Sequence, residues 1–208
     1  MKKIITILFV AVLLAANSGQ SNAQELDKTA GKPFVELFEN VAPATMADNV
    51  FKLVGEDFML ITSGTEADFN TMTAGWGGWG VLFNTPATWC VLRANRYTLE
   101  YIRNTKTYTL TFFEDEYNDQ VLHFGMASGR NSDKMKTHRL TAVTTPLGNI
   151  AYKEASLIVE CEIIQLTTVQ PDDFYTDEAK AFIKEGYADA KEYHKLVFGK
   201  ITNVWRKK

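Results

Sequence analysis

The chain has 208 residues, 46% of them apolar, with 22 Lys and Arg against 25 Asp and Glu. That length fits one domain with a full core, and a net charge of −3 removes the electrostatic reason to expect nucleic acid. Two cysteines and three scattered histidines, with no CxxC or Cys/His spacing, give no metal-binding motif.

The chain opens with the basic Met1-Lys2-Lys3, continues through an apolar run over 4–16, and reaches small residues at Ser21-Asn22-Ala23. That order reads as a secretory signal peptide over 1–23, cleaved after Ala23, with Gln24 the first mature residue. It predicts an exported, periplasmic protein. The alternative is an uncleaved anchor, but the run is shorter than the ~20 residues of a comfortable span. No later segment is apolar enough to cross a bilayer, so no stable membrane span is expected.

Residues 24–50 read as a polar arm followed by a short helix, with Val35, Leu37, Phe38 and Val41 on one face. The main domain is expected over 51–208. Residues 51–54 and 58–61 read as strands around the turn signal Gly55-Glu56-Asp57. A Gly- and Trp-rich stretch follows over 70–79, then an apolar strand over 88–92. A short helix after Arg96 buries Leu99 and Ile102, and 108–113 alternates as a strand. Residues 115–126 read as a helix, 128–130 as a turn, and 133–137 as a short helix. Strands over 150–155 and 156–168, a break at Pro171, a helix over 176–190 and a closing strand over 196–205 complete the chain. Many strands and few long helices favour a barrel or sandwich over a βαβ fold. Cys90 and Cys161 lie in apolar strand-like runs and read as buried free thiols, with a disulfide the alternative in an exported protein.

Three stretches have the composition of a ligand site. In Asn70-Thr71-Met72-Thr73-Ala74-Gly75-Trp76-Gly77-Gly78-Trp79, the glycines strip side chains from the backbone, and the tryptophans offer an apolar wall. Composition alone reads this stretch equally as a bulged strand with Trp in the core. Asn95-Arg96-Tyr97-Thr98 sets a cation and a hydroxyl at a helix start, where unpaired amides favour phosphate; Thr98 also reads as a simple N-cap. Ser128-Gly129-Arg130-Asn131-Ser132-Asp133-Lys134 carries two cations on a Gly turn, and alone reads as an ordinary polar loop.

In this order the three stretches resemble the flavin reductase-like family of FMN-binding split barrels, over roughly residues 58–164. The first is similar to that family's N-x-M-T-A-x-W segment, the second to its R-Y-T motif and the third to S-G-R-x-x-D-K. The resemblance implies a mainly β, Greek-key split β-barrel with a few peripheral helices, binding one FMN per subunit of a homodimer. It places Met72, Thr73, Ala74, Gly75 and Trp76 along the isoalloxazine and Arg96 and Thr98 on the phosphate, with Asn70, Asn95 and Tyr97 also among the cofactor-binding residues. Ser128, Gly129, Arg130 and Lys134 fall near the ribityl-phosphate end or the mouth.

Flavin chemistry needs no acid-base pair, in keeping with the lack of any clear one here, and no catalytic side chain is assigned. The implied function is an oxidoreductase passing electrons from NAD(P)H or a redox-protein donor through FMN to an acceptor. Export favours the redox protein, because NAD(P)H is a cytosolic pool. The competing classes are a non-enzymatic exported flavin- or haem-binding barrel and a structural dimer with an empty cleft. The segment 170–192 is longer and more helical than a minimal member of the family, and is placed to cover the site or extend the dimer contact.

Overall fold

The computed structural model describes residues 33–126, 128–131, 134, 139–188 and 192–208. The predicted signal peptide and most of the predicted 133–137 helix lie outside these. Among the described residues no helix is long and apolar enough to cross a membrane.

The frame is an antiparallel sheet. Strands β1 (Phe38–Val41), β2 (Met59–Thr65), β3 (Asp68–Ala74), β4 (Gly77–Leu82), β5 (Thr85–Leu92), β6 (Thr107–Phe112), β9 (Leu157–Thr168) and β10 (Lys195–Lys207) form it, in the order β3-β2-β6-β9-β10-β5-β4, with β1 on the far end of β10. A separate hairpin pairs β7 (Ala142–Thr144) with β8 (Ile150–Tyr152). Among the described residues are five α-helices: α1 (Phe34–Leu37), α2 (Val50–Gly55), α3 (Tyr97–Thr105), α4 (Asn118–Met126) and α5 (Asp177–Gly186).

The strands bury both faces, and the period of two sorts their residues between two cores. Met59 and Ile61 point inward with Met72, Ala74, Cys90, Tyr108, Val159 and Val197. Because residues of β3 and β5, from opposite ends of the strand order, share this one core, the sheet is curled into a barrel. Leu60 and Ile158, between the inward residues, face a second core with Phe124 of α4, Tyr152 of β8, Phe38 and Trp205. Each buried Leu or Ile stabilises by about 1.5–3 kcal/mol. This is the Greek-key split β-barrel expected from the sequence. Cys90 and Cys161 are both free and buried in the first core, and burial raises both thiols well above their usual range.

Several elements depart from the reading of the sequence. Residues 51–54 are helical, not a strand. The Asn49 side chain caps α2 by accepting from the amides of Phe51 and Lys52 at 3.1 and 3.4 Å, and the helix buries Val54 (4% exposed) while leaving Phe51 84% exposed. The first short helix stops at Leu37, because β10 runs on past β5 and offers a free edge. Phe38–Val41 pair there with Val204–Lys207. The strand expected over 150–155 ends at Tyr152. Arg96, not Thr98, is the N-cap of α3.

Period two also places Glu160 on the face of Ile158, where it is fully buried. Its carboxylate accepts from Asn149 Nδ2 at 2.9 Å, Asn203 Nδ2 at 3.0 Å, Trp205 Nε1 at 2.7 Å and the Thr145 hydroxyl. Four neutral donors from the β7–β8 hairpin and β10 thus replace its lost hydration. Glu160→Gln brings an NH2 group against donors on one side, and should cost about 2–3 kcal/mol. Thermal unfolding should then shift down by roughly 5–10 °C; an unchanged melting temperature would show that this network does not hold the hairpin.

Candidate functional site

The site is organised around β3. Met72 and Ala74 are buried in the barrel core. The Thr73 hydroxyl is turned toward α4, where it donates to the Val121 carbonyl. This stretch therefore offers a ligand mostly backbone, ending in the half-exposed ring of Trp76. Gly75 permits this, because a Cβ there would run into the Phe58 ring. A cleft of about 220 Å3 results, lined by Phe58, Met72–Trp76, Val91, Arg93, Arg96 and His194.

Its outer side is aromatic. The Trp76 ring lies 5.1 Å from the His194 ring and 6.1 Å from Phe182 of α5. Lys195 pairs with Thr168 across the β9–β10 ladder, and the Val169 amide donates to the His194 carbonyl at 2.9 Å. The segment carrying α5 is thus an arm held at both ends, with Phe182 against Trp76. Tyr187 fixes the His194 ring by a hydrogen bond to Nδ1.

Arg96 stands at the start of α3, where amide groups without helical partners cluster. Its Nη1 donates to the Gly125 carbonyl at 3.3 Å, while its Nε is buried with no hydrogen-bond partner among the described residues. Thr98 is fully buried, and its hydroxyl accepts from Asn70 Nδ2 at 2.6 Å. It braces β3 against α3 rather than facing a cleft. The exposed Asn95 gives its carbonyl to Arg130 Nη1 at 3.0 Å, and the Arg130 guanidinium lies 4.6 Å from the Tyr97 ring centroid while also pairing with Glu100.

The third segment packs against the other two. Gly129 passes so close to the Asn70 side chain that a Cβ would collide with its oxygen, and the Ser128 hydroxyl accepts from the Arg130 amide at 3.3 Å. Lys134 is buried and donates to the carbonyls of Thr71 at 3.3 Å and Phe124 at 3.0 Å. Gly129, Arg130 and Lys134, with Asp68, Asn70, Tyr97 and Tyr101, line a second cleft of about 660 Å3. The structure therefore brings all three segments together, but divides them between two clefts. Met72–Trp76 and Arg96 face the smaller; Asn70, Tyr97, Gly129, Arg130 and Lys134 face the larger. Phe58, Arg93, His194, Asp68 and Tyr101 were not singled out from the sequence. Arg93 had a faint signal, one helical turn before Arg96.

Positive charge is concentrated where Arg93, Arg96, Lys134 and His194 approach one another. Burial, then the Arg96 charge, lowers the Lys134 ammonium to about 8. Burial, then Arg93, lowers Arg96. Burial, then both arginines, holds His194 below its ordinary value. Each shift records a cation stripped of water beside another cation, the arrangement that a bound anion relieves.

The chain matches the flavin reductase like domain family over residues 52–208, and it belongs to that family. No curated protein sequence matches it. Among solved structures, it is similar to an FMN-binding protein from Thermus thermophilus with bound p-hydroxybenzaldehyde, at 18% identity and TM-score 0.56, covering 73% of this chain and 71% of that one. It is also similar to flavoredoxin from Methanosarcina acetivorans, at 17% identity and TM-score 0.56, covering 73% and 68%. A third, an NADH:FAD oxidoreductase from Streptomyces globisporus C-1027, has 14% identity and TM-score 0.54, covering 72% and 74%.

The charge pattern sets a pH dependence. An anion held beside Lys134 binds its protonated form, which predominates below about 8. Sulfate or inorganic phosphate affinity is therefore expected to fall as pH rises through that value. Calorimetric titration between roughly pH 7 and 9.5 tests this; a flat profile would mean that Lys134 takes no part in anion binding.

Proposed function

We propose that this protein is an FMN-dependent oxidoreductase, passing electrons from a reduced donor, NAD(P)H or a redox protein, through FMN to an acceptor. The observation that carries this is Arg96. Its buried Nε lacks a hydrogen-bond partner among the described residues, and it stands between the backbone-lined cleft at Met72–Trp76 and the buried Lys134. A flat, partly polar ring system with an anionic tail fits that juxtaposition. FMN when bound supplies the redox chemistry, accepting and releasing electrons at its ring.

The protein's own residues bind and shield. The amides and carbonyls of Met72–Gly75 face the ring's polar edge, and Phe58 and Trp76 wall it from water. Arg96 and Lys134 hold the phosphate, with the α3 amides behind them. Arg130, tied to Asn95 and stacked on Tyr97, braces the loop that brings Lys134 in. Ser128 and Gly129 shape that loop at the mouth. The smaller cleft, at about 220 Å3, falls below the roughly 300–1,000 Å3 of self-sufficient small-molecule sites. This supports a homodimer in which a second copy completes the wall, and light scattering that gave a monomer at micromolar concentration would contradict it. The signal-peptide reading of 1–23 supports an exported, periplasmic enzyme, and N-terminal sequencing from the native host should begin at Gln24.

A second reading, a flavin carrier without nicotinamide chemistry, is favoured by Phe182 lying against Trp76 at the outer side of the cleft. Spectra separate the two. Purified holoprotein should show oxidised-flavin bands, and anaerobic NADH or NADPH should bleach them. If dithionite bleaches them and neither nucleotide does, the nicotinamide-linked reading fails and the carrier replaces it. A Soret band would instead indicate haem.

A further inference from the structure

His194 stands just before β10, and three neighbours fix it. Its carbonyl accepts from the Val169 amide at 2.9 Å. Its ring lies tilted against Trp76, with the centroids 5.1 Å apart. Tyr187, the C-cap of α5, meets the imidazole edge-on at 5.3 Å, and its hydroxyl is hydrogen-bonded to Nδ1. The other ring nitrogen, Nε2, has no hydrogen-bond partner among the described residues. His194 lines the smaller cleft, so Nε2 is the polar atom that its side chain has left for a ligand there.

The direction of the Tyr187 bond decides what Nε2 can do. A neutral imidazole carries one proton, on one nitrogen or the other. Burial raises the Tyr187 pKa, so the phenol keeps its proton; a backbone hydrogen bond from His194 offsets part of that rise. A hydrogen bond that lowers a phenol's pKa is one donated to its oxygen. The phenol oxygen thus accepts from the His194 backbone, and its own proton points at Nδ1. Burial, then Arg93 and Arg96, hold His194 below its ordinary value, so the ring is neutral near pH 7. Nδ1 is then the acceptor, and Nε2 carries the N–H.

A neutral N–H in a fixed direction is a donor for one oxygen. The walls beside it, Phe58 and Trp76, are aromatic and suit a flat ring, while Arg93 and Arg96 favour one with electron-rich oxygens. A quinone has both features. It gains negative charge on its carbonyl oxygens as it takes electrons, and a donor already aimed at such an oxygen stabilises that charge.

We propose that Tyr187 is a positioning residue, fixing His194 as a neutral Nε2–H donor to a carbonyl oxygen of a quinone-class electron acceptor on the Trp76 side of the smaller cleft. The acceptor rests on the flavin reading of that cleft; the tautomer does not.

Nitrogen NMR of the isotopically labelled full chain reads the tautomer directly, with His194→Leu assigning the signal. At about pH 7.5 the native ring should be in the Nε2–H form, and Tyr187→Phe should let the Nδ1–H form appear. A native ring that is charged or in the Nδ1–H form overturns the proposal, as does a Tyr187→Phe protein with the native tautomer unchanged. The ligand is tested by titrating the FMN-loaded chain with naphthoquinone and with naphthalene, which has the same rings and no oxygen. Tyr187→Phe and His194→Leu should each weaken naphthoquinone by about three- to tenfold, the scale of one neutral hydrogen bond, and leave naphthalene within about twofold. Equal losses for the two ligands would make both residues packing alone and end the acceptor assignment, as would no loss for either. If no FMN binds, the flavin reading fails by itself. The tautomer and the same pair titrated against the free chain then decide the proposal.

Discussion

The buried hydrogen bond from the Asn70 amide to the Thr98 hydroxyl, 2.6 Å long, ties strand β3 to helix α3 at the point where both clefts begin. Gly129 brings the third segment onto the same asparagine, at a distance that only a residue without a Cβ permits. From this junction the backbone of Met72–Trp76 runs toward one cleft, while Tyr97, Arg130 and Lys134 face the other. Neither Asn70 nor Thr98 needs to touch a ligand for the site to depend on them. Separate them, and Arg96 at the N-cap and Thr71 under Lys134 lose their fixed relation.

The junction also concentrates charge. Burial lowers the proton affinity of Arg96, Lys134 and His194, and nearby charge adds to it: Arg93 acts on Arg96, Arg96 on Lys134, and both arginines on His194. Keeping cations together out of water is costly unless an anion joins them. The barrel holds them there because α3 and α4 are packed on strands whose own residues fill two cores. Glu160 shows the same frame handling the opposite sign: a buried carboxylate surrounded by four donors, remote in sequence from most of them.

The sequence showed the long alternating strands, the helix after Arg96 and the three segments that line the clefts, since each is a local pattern. It hid local structure that its composition disguises, and whatever depends on distant pairing. The helix at Val50–Gly55 has a strand-like composition and is decided by the Asn49 cap. The β4–β5 turn, Phe83-Asn84, carries positive φ at both residues without a glycine to announce it. β1 exists because β10 overruns its neighbour. His194 and Phe182 approach Trp76 from more than a hundred residues away, through an arm whose ends meet on the β9–β10 ladder. Thr98 had the right neighbours in sequence, yet its direction in the helix turned it into a brace.

In the proposed function, Arg96 serves an anionic tail while the Met72–Trp76 backbone serves a flat ring. Titrating FMN and riboflavin against the native protein and Arg96→Ala tests it most directly, because the two ligands differ only in the phosphate. FMN should lose about 1.5–3 kcal/mol, roughly ten- to hundredfold in affinity, while riboflavin changes little. Equal losses for the two ligands would contradict it, and would make Arg96 a residue that holds the fold and not the phosphate.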